Sequence, residues 1–400
     1  MNTSLRNNID WVGYVDWNVR DFHGYETRRG STYNAYLVRD GKNALIDTVK
    51  AGFGKQLLDN VRRLIDLRKI DYIVCNHAEL DHAGSLPEVV AACPQAEIVC
   101  DDKCQKALAL HHDITGWKFK IVKDGDKLSL GKRTLVFVET PMAHWPESMA
   151  TYVPEEKILF SMDGFGQHYA SSGRFDDEEP LNTVMFEAKT YYANILMLYS
   201  KPIARVLSGV GGLDVEMIAP SHGVIWRRHV KEIMQAYSEW MVCKPKPKVL
   251  VIYDTMWKST EKMAHAILEG AAKPGVDAKL FYIRASNTTT LATEMLDAAT
   301  FAFGSPTLNG TLMPQAAAVL TYLKGLKPAG KAGFAFGSYG WAKGGAQEVN
   351  EYLEDMKVRI LREPIQVQYV PRADDLALCR EAGSMLADQA LEICKQIKQE

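Results

Sequence analysis

Short apolar segments of strand length recur through the first 240 residues of the chain. They include DYIVC (71–75), AEIVC (96–100), RTLVFVE (133–139) and KILFSM (157–162), and helical periodicity lies between them at 55–67, 103–111 and 180–199. TYNAYLV and NALIDT are joined by Asp40-Gly41, a pair that favours a hairpin turn. The mixture predicts an αββα sandwich, in which two packed sheets are covered by helices.

The later part of the chain has a more regular pattern, in which apolar strands alternate with helices. The predicted strands are KVLVIYD, AKLFYIR, TFAFGSP, AGFAFGS and IQVQYV, and the predicted helices are 260–271, 291–299, 313–324, 345–357 and 374–397. Five such strands predict a doubly wound parallel sheet with its ligand site at the carboxyl ends of the strands. Alternating proline and lysine at 243–248 predict a linker, which separates a domain at 1–243 from a domain at 249–400.

Composition narrows the class of protein. The 400 residues are 47% apolar and carry a formal net charge of −2, so no net basic field attracts nucleic acid. No segment reaches the roughly 18 consecutive apolar residues of a spanning helix, and the N-terminus lacks the apolar core of a signal peptide. We therefore expect a cytoplasmic protein without a membrane partner.

The seven cysteines contain no C-x-x-C pair, which argues against a disulfide framework and against a four-cysteine metal site.

The segment NHAELDHAGS (76–85) concentrates metal-binding residue types directly after a predicted strand. His77 and Glu79 share one face of an extended segment, and Asp81 and His82 follow in the loop before a helix. Ser85 and Glu88 have the spacing of a capping box for that helix, and Pro87 suits its first turn. An isolated H-x-E is more often a surface or capping group, but four such residues together indicate a metal site.

Three further residues have similar surroundings. His144, Asp163 and His222 each come shortly after an apolar strand, so we expect all three at the same edge of the sheets as the first cluster. Four histidines and three carboxylates suffice for two metal ions with one bridging carboxylate.

The order of these residues resembles the metallo-β-lactamase superfamily, in which H-x-[EH]-x-D-H follows a strand and single His, Asp and His residues follow at wide intervals. Glu79 stands where the hydrolases of that superfamily usually have histidine, and an anionic oxygen ligand favours iron or manganese over zinc. The Glu variant is similar to the flavodiiron proteins. The resemblance implies one iron on His77, Glu79 and His144, a second on Asp81, His82 and His222, and Asp163 as the bridge.

Loops of the second domain resemble those that hold FMN in flavodoxins. The pattern T-x-x-x-S-T lies between the first strand and its helix, where hydroxyl and amide groups can surround a phosphate. Glycine-bounded loops at 304–310 and 337–345 follow the third and fourth strands, where the flavin ring is expected. The predicted FMN-binding residues are Thr255, Met256, Trp257, Ser259, Thr260, Ser305, Pro306, Thr307, Leu308, Asn309, Ser338, Tyr339, Gly340 and Trp341.

A metal pair and a flavin in one chain indicate reduction, because hydrolysis needs no electrons. Two ferrous ions can supply two electrons for coupling two NO molecules to N2O, and reduced FMN adds the two more that take O2 to water. The resemblance implies both activities, electrons from a rubredoxin-type donor, and a head-to-tail homodimer or a dimer of dimers. His23, Tyr191 and Tyr192 are candidate proton donors by the same resemblance. His111, His112, His168, His229 and His265 are interpreted as non-ligands.

Two other functions fit parts of the sequence. A zinc hydrolase with an appended flavodoxin-like domain would share the first-domain motif, and a colourless zinc protein would support it. An electron carrier with a degenerate first domain would share the second-domain loops, and absence of bound iron would support it. Glu79 argues against the hydrolase, and retention of all seven ligand positions argues against the carrier.

Overall fold

Two compact units make up the chain, and the division falls between Ser238 and Glu239. The computed structural model describes residues 3–396. A seven-stranded sheet of the first unit has the order β1-β2-β7-β8-β9-β10-β11. Two further sheets of two strands each pair β3 with β6 and β4 with β5. These strands are β1 Ser4–Arg6, β2 Ile9–Trp11, β3 Tyr14–Asp16, β4 Asp21–Phe22, β5 Tyr25–Glu26, β6 Ser31–Tyr33, β7 Tyr36–Val38, β8 Asn43–Ile46, β9 Ile70–Val74, β10 Glu97–Cys100 and β11 Phe119–Ile121.

A second sheet of the first unit has five strands in the order β12-β13-β14-β15-β16. Its strands are β12 Lys127–Ser129, β13 Thr134–Glu139, β14 Met149–Val153, β15 Ile158–Met162 and β16 Met217–Pro220. The helices are α1 Gly54–Arg62, α2 Leu80–Ala83, α3 Leu86–Ala92, α4 Asp102–His111, α5 Leu181–Tyr191, α6 Ser200–Val210 and α7 Val230–Trp240, the last of which crosses the division.

Side chains that alternate along β9 show how the layers pack. Val74 joins Phe137 and Phe160 in a core between the two sheets, whereas Ile73 joins Leu57 and Val89 in a core beneath the helices. The alternation follows from the two-residue period of a strand. The predicted αββα arrangement and the predicted hairpin of β7 and β8 are both confirmed.

Local structure differs from the prediction after α5 and at the start of α3. The predicted helix 180–199 breaks after α5 into a π turn at Tyr192–Leu196 and a 3-10 turn at Met197–Tyr199. The expected capping box of α3 does not form, since the Ser85 side chain makes no cap hydrogen bond. Its hydroxyl instead accepts from the backbone of Val49, because Ser85 lies buried beside that segment.

The second unit has the strand order β18-β17-β19-β20-β21, and β22 also pairs with β20, so that β21 and β22 together take the place of the fifth strand of a flavodoxin-like sheet. All of its strand pairs are parallel. The strands are β17 Lys246–Tyr253, β18 Asp277–Tyr282, β19 Ala298–Gly304, β20 Ala332–Tyr339, β21 Arg359–Ile360 and β22 Ile365–Gln368. The helices are α8 Ser259–Ala271, α9 Thr288–Asp297, α10 Pro314–Leu326, α11 Gly345–Asp355 and α12 Ala373–Gln396.

Two prolines explain where this sheet departs from the prediction. Residues 246–248 of the predicted linker belong to β17, and Pro247 lies where the register with β19 shifts, so its missing N–H interrupts no regular ladder. The fifth strand is divided into β21 and β22, which pair with the start and the end of β20, and Pro364 directly precedes β22. A proline cannot donate to the ladder, so the break falls beside it.

Candidate metal centre and cofactor pocket

The segment after β9 is held in place by buried hydrogen bonds. The backbone and side-chain nitrogens of Asn76 donate to the two carboxylate oxygens of Asp47 at 2.8 and 2.9 Å. The Thr48 hydroxyl donates to the backbone oxygen of His82. Sequence reasoning placed Asp81 and His82 in a loop, but they lie in the single turn of α2. These bonds hold the predicted ligands of the segment at the edge of the first sheet.

Four side chains form the first group of donor atoms, with all of those atoms within 4.8 Å of one another: His77, Glu79, His144 and Asp163. The Nε2 atoms of His77 and His144 each lie 3.2 Å from Oε2 of Glu79. Oδ2 of Asp163 lies 3.4 Å from Nε2 of His77 and 3.1 Å from Nε2 of His144. Two imidazoles and two carboxylates therefore meet at one point.

Asp81, His82 and His222 form a second group with the same spacing limit. Oδ2 of Asp81 lies 3.1 Å from Nε2 of His222. Oδ1 of Asp163 lies 3.1 Å from Nε2 of His82 and 3.3 Å from Nε2 of His222. Asp163 thus presents one oxygen to each group, which is the arrangement a bridging carboxylate needs.

The electrostatics of the two groups suit cations. Burial alone would raise the pKa of Asp163, but His82, His144 and His222 outweigh it and hold that pKa well below its usual value. Burial would lower the pKa of His222, yet hydrogen bonds to Asp163 and Asp81 raise it to about 10. Asp163 thus remains charged and favours positive charge on His222, so a metal cation can replace that proton.

Two buried donor atoms support a metal site directly. Oδ1 of Asp81 has no hydrogen-bond partner among residues 3–396, and Nε2 of His82, although 3.1 Å from Oδ1 of Asp163, makes no hydrogen bond of acceptable geometry with any of them. Buried polar atoms are nearly always hydrogen-bonded, and a metal ion satisfies such atoms equally well. The residues present therefore fit the two metal ions that the sequence predicts.

Outer contacts orient two of the imidazoles. Nδ1 of His77 lies 2.8 Å from Oε1 of Glu147, and Nδ1 of His222 lies 2.7 Å from the backbone oxygen of Thr32. Each contact fixes the ring so that Nε2 faces the donor cluster. Glu147 was missed by sequence reasoning, although it lies three residues after the predicted ligand His144.

A cavity of about 760 Å³ lies at the carboxyl ends of the strands in the second unit. Of the predicted FMN-binding residues, those that line it are Met256, Trp257, Ser259, Pro306, Thr307, Leu308, Asn309, Ser338, Tyr339, Gly340 and Trp341. Gly310 and Ala342, which also line it, lie in the two predicted loops, whereas the lining residues Tyr369 and Val370 were missed. Tyr369 and Val370 end the predicted strand IQVQYV, so their position at this edge was available from the sequence. The volume is typical of cofactor sites.

Three predicted residues lie outside that lining. The Thr255 hydroxyl is buried and has no hydrogen-bond partner among the described residues. The Thr260 hydroxyl lies 2.9 Å from that of Ser338, and the Ser305 hydroxyl donates to the backbone oxygen of Pro306 at 2.9 Å. Thr255 precedes α8, whose N-terminus favours anions, so its free hydroxyl fits a phosphate. The pocket therefore fits FMN.

Comparison with known proteins identifies the family. The protein-family model described as ODP family beta lactamase matches residues 32–223, and the family model described as Flavodoxin matches residues 251–383. A nitric oxide reductase of Moorella thermoacetica is 45% identical over 389 residues, which cover 96% of this chain and 98% of the relative. The chain belongs to the flavodiiron protein family.

Solved structures agree with this assignment for the whole flavodiiron chain. A flavodiiron protein of Giardia intestinalis has a TM-score of 0.97 and 38% identity, and covers 99% of this chain and 98% of its own. A rubredoxin oxygen:oxidoreductase of Desulfovibrio gigas has a TM-score of 0.95 and 40% identity, and covers 98% and 99% respectively. The resemblance seen in the sequence is confirmed, as is the fold of both parts.

The predicted proton donors of this flavodiiron protein have different surroundings. Nε2 of His23 lies 2.7 Å from Oε1 of Glu79, and its side chain is 61% exposed. The Tyr191 hydroxyl donates to Oδ1 of Asp163 at 2.7 Å, whereas the Tyr192 hydroxyl lies 2.9 Å from that of Ser200. The structure therefore brings His23 and Tyr191 to the donor cluster.

His168, which is interpreted from the sequence as a non-ligand, lies beside the centre. Its ring centroid is 5.3 Å from that of His222 and 4.9 Å from that of Tyr191. Its Nδ1 lies 2.9 Å from the Ser31 hydroxyl. Burial lowers the pKa of His168 to about 3, so the imidazole is neutral. His168 is not among the clustered donor residues.

None of the helices described within residues 3–396 has the length and apolar character of a membrane span.

Proposed function

We propose that this flavodiiron protein reduces O2 to water, NO to N2O, or both, at a non-haem two-iron centre. The observation that carries the proposal is the pair of donor groups that share Asp163, together with the FMN-sized pocket in the same chain. The similarity of the chain to a nitric oxide reductase and to a rubredoxin oxygen:oxidoreductase supports both NO and O2 as substrates. The zinc hydrolase alternative is not favoured, because hydrolysis would leave the flavin pocket without a role.

The residues divide the work as follows. His77, Glu79 and His144 would hold one iron, and Asp81, His82 and His222 the other. Asp163 would bridge them, and the hydrogen bond from Tyr191 would orient that bridge. When bound, iron and FMN supply the electrons that O2 or NO accepts.

The chain itself would also supply protons and positioning. His23 is partly exposed and hydrogen-bonded to Glu79, so it can pass protons between solvent and the centre. Glu147 and Thr32 would hold the imidazoles of His77 and His222 in their binding orientation.

In the second unit, Thr255 and the start of α8 would bind the FMN phosphate, while Pro306–Asn309 and Ser338–Trp341 would surround the ring. Trp257 and Trp341 are 91% and 90% exposed, which leaves aromatic faces at the pocket rim for a further contact.

We further propose a rubredoxin-type electron donor, a head-to-tail homodimer or dimer of dimers, a cytoplasmic location, and domain ranges of 1–243 and 249–400.

A gas-electrode assay that starts from anaerobically reduced protein tests the function. Protein that contains iron and FMN is reduced by a rubredoxin and its reductase, and consumption of O2 and of NO is followed separately. Fast consumption of either gas is expected, and the ratio of the two rates gives the preferred substrate. If neither gas is consumed while iron and FMN are both bound, the proposal is wrong; zinc in place of iron would return the hydrolase alternative.

A further inference from the structure

A small apolar cavity lies beside the second sheet of the first unit. Its volume is about 40 Å³, and its wall includes Ala150 of β14, Leu159 of β15 and Leu207 of α6. Ile158 and Phe160 point into the core between the sheets, so Leu159 between them points to the opposite face. The cavity therefore lies outside the main core, between that face and the helical segment that contains the π turn.

The polar atoms of the wall disfavour water. The Ser161 hydroxyl donates to the backbone oxygen of Gly164 at 2.6 Å, and the Tyr237 hydroxyl accepts from the backbone nitrogen of Phe165 at 2.7 Å. The Thr140 hydroxyl has no hydrogen-bond partner among the described residues. A buried water needs about two to four polar partners, and one free hydroxyl does not meet that need. An uncharged, apolar occupant suits the cavity better.

The volume sets the size of that occupant. A space of roughly 10–15 Å³ holds one water molecule, and apolar cavities of about 150 Å³ bind benzene or xenon. A volume of about 40 Å³ lies between these limits. A diatomic gas or one xenon atom is the class of ligand that fits, whereas an aromatic ring is too large.

Two residues of the wall are chain neighbours of proposed metal ligands. Ala143 directly precedes His144, and Gly164 directly follows Asp163. Through Ala143 and Gly164, this wall lies one residue along the chain from two proposed ligands. The cavity therefore borders the two chain segments that carry His144 and Asp163.

We propose that this cavity binds the uncharged gas that the metal centre reduces and so concentrates O2 or NO beside it. This inference rests on the proposed function, because the centre must consume such a gas for the cavity to matter. Apolar gases partition from water into apolar spaces, so occupancy needs no specific polar contact.

Xenon diffraction tests the site without any turnover. Crystals of the protein with iron and FMN bound are pressurised with xenon, and an anomalous peak is expected in the cavity. Ala150→Leu fills the space and removes the peak, whereas Leu207→Ala enlarges it and raises the xenon occupancy. Ala96→Leu is the control, since it adds the same carbons to the core beneath the helices and leaves the xenon peak unchanged.

Kinetics then test the role of the site. Ala150→Leu is expected to raise the KM for the gas several-fold, while kcat at saturating gas and the iron and FMN content stay the same. If Ala150→Leu does not fold, Leu207→Ala decides alone through its xenon occupancy and its KM, which both change as the cavity grows.

Absence of xenon from the unsubstituted protein overturns the proposal, and so does an unchanged KM in a variant that has lost the peak. A protein that binds xenon here but consumes neither gas contradicts the proposed function and supports the cavity as a gas site. The two failures are therefore distinguishable.

Discussion

The hydroxyl of Tyr191 donates to Oδ1 of Asp163 over 2.7 Å, and both groups are buried. This is the oxygen that faces His82 and His222. The phenol thus acts on one side of the carboxylate that both donor groups share. Tyr191 is the last residue of α5 and directly precedes the π turn.

Tyr191→Phe is expected to lower turnover and weaken metal binding. A hydrogen bond to a charged group contributes about 1.5–3 kcal/mol, so the affinity of the second donor group should fall by roughly tenfold or more. Metal titration of the stripped protein measures this, and gas consumption measures turnover. Tyr152→Phe is the control, because its hydroxyl donates to the backbone oxygen of Asp214 at 2.6 Å instead. Equal losses in the two variants would contradict a specific role for Tyr191.

Asp163→Ala is expected to remove metal from both donor groups, since one oxygen serves each. Glu79→Ala should affect mainly the group that contains His77 and His144. Elemental analysis of the two variants should therefore give a lower metal content for Asp163→Ala. The FMN absorbance should be unchanged in both, because the pocket belongs to the second unit. Normal metal content in Asp163→Ala would exclude the bridging role.

Thr255→Val is expected to weaken FMN binding. The valine keeps the shape of the side chain but removes the unpartnered hydroxyl that we assign to the phosphate. Loss of a hydrogen bond to a charged group should raise the Kd for FMN by roughly tenfold to a hundredfold. Fluorescence titration of the apoprotein measures it. Thr300→Val serves as the control, because that hydroxyl donates to the backbone oxygen of Leu386 and should affect stability alone. An unchanged Kd in Thr255→Val would refute the assignment.

Asp101 gives a prediction for pH dependence. Burial raises the pKa of Asp101 to about 6, although its side chain caps α4 by accepting from the Cys104 backbone. The folded chain therefore binds this proton more tightly than the unfolded chain, whose aspartate pKa is about 3.9. The contribution of Asp101 to the free energy of unfolding is fully present below pH about 4 and is lost as the pH rises through about 6. This loss is no more than about 3 kcal/mol.

Asp101→Asn keeps a good capping residue and removes the titration. The difference in unfolding free energy between variant and unsubstituted protein should thus grow between pH about 4 and about 6 in favour of the variant. Urea unfolding across this pH range measures it. A constant difference would show that the carboxyl does not titrate as proposed.

Local patterns predicted most of the fold and of the donor cluster. Four predicted ligands lie within six residues, namely His77, Glu79, Asp81 and His82. The other three predicted ligands each follow an apolar strand, so strand order alone predicted that all seven lie at one edge of the sheets. Glu147 was missed because its partner His77 is 70 residues away and a single glutamate carries no pattern. The break after α5 was missed because its apolar periodicity continues through the π turn. Tertiary contacts decide both features.

The seven donors come from both sheets of the sandwich. His77 follows β9 in the first sheet, whereas His144, Asp163 and His222 follow β13, β15 and β16 in the second. Metal ions bound among them would fasten the open edges of the two layers together, as a covalent cross-link would, and their binding energy would add to the stability of the fold. Scarcity of metal would then shorten the lifetime of the protein in the presence of proteases, in addition to stopping its chemistry.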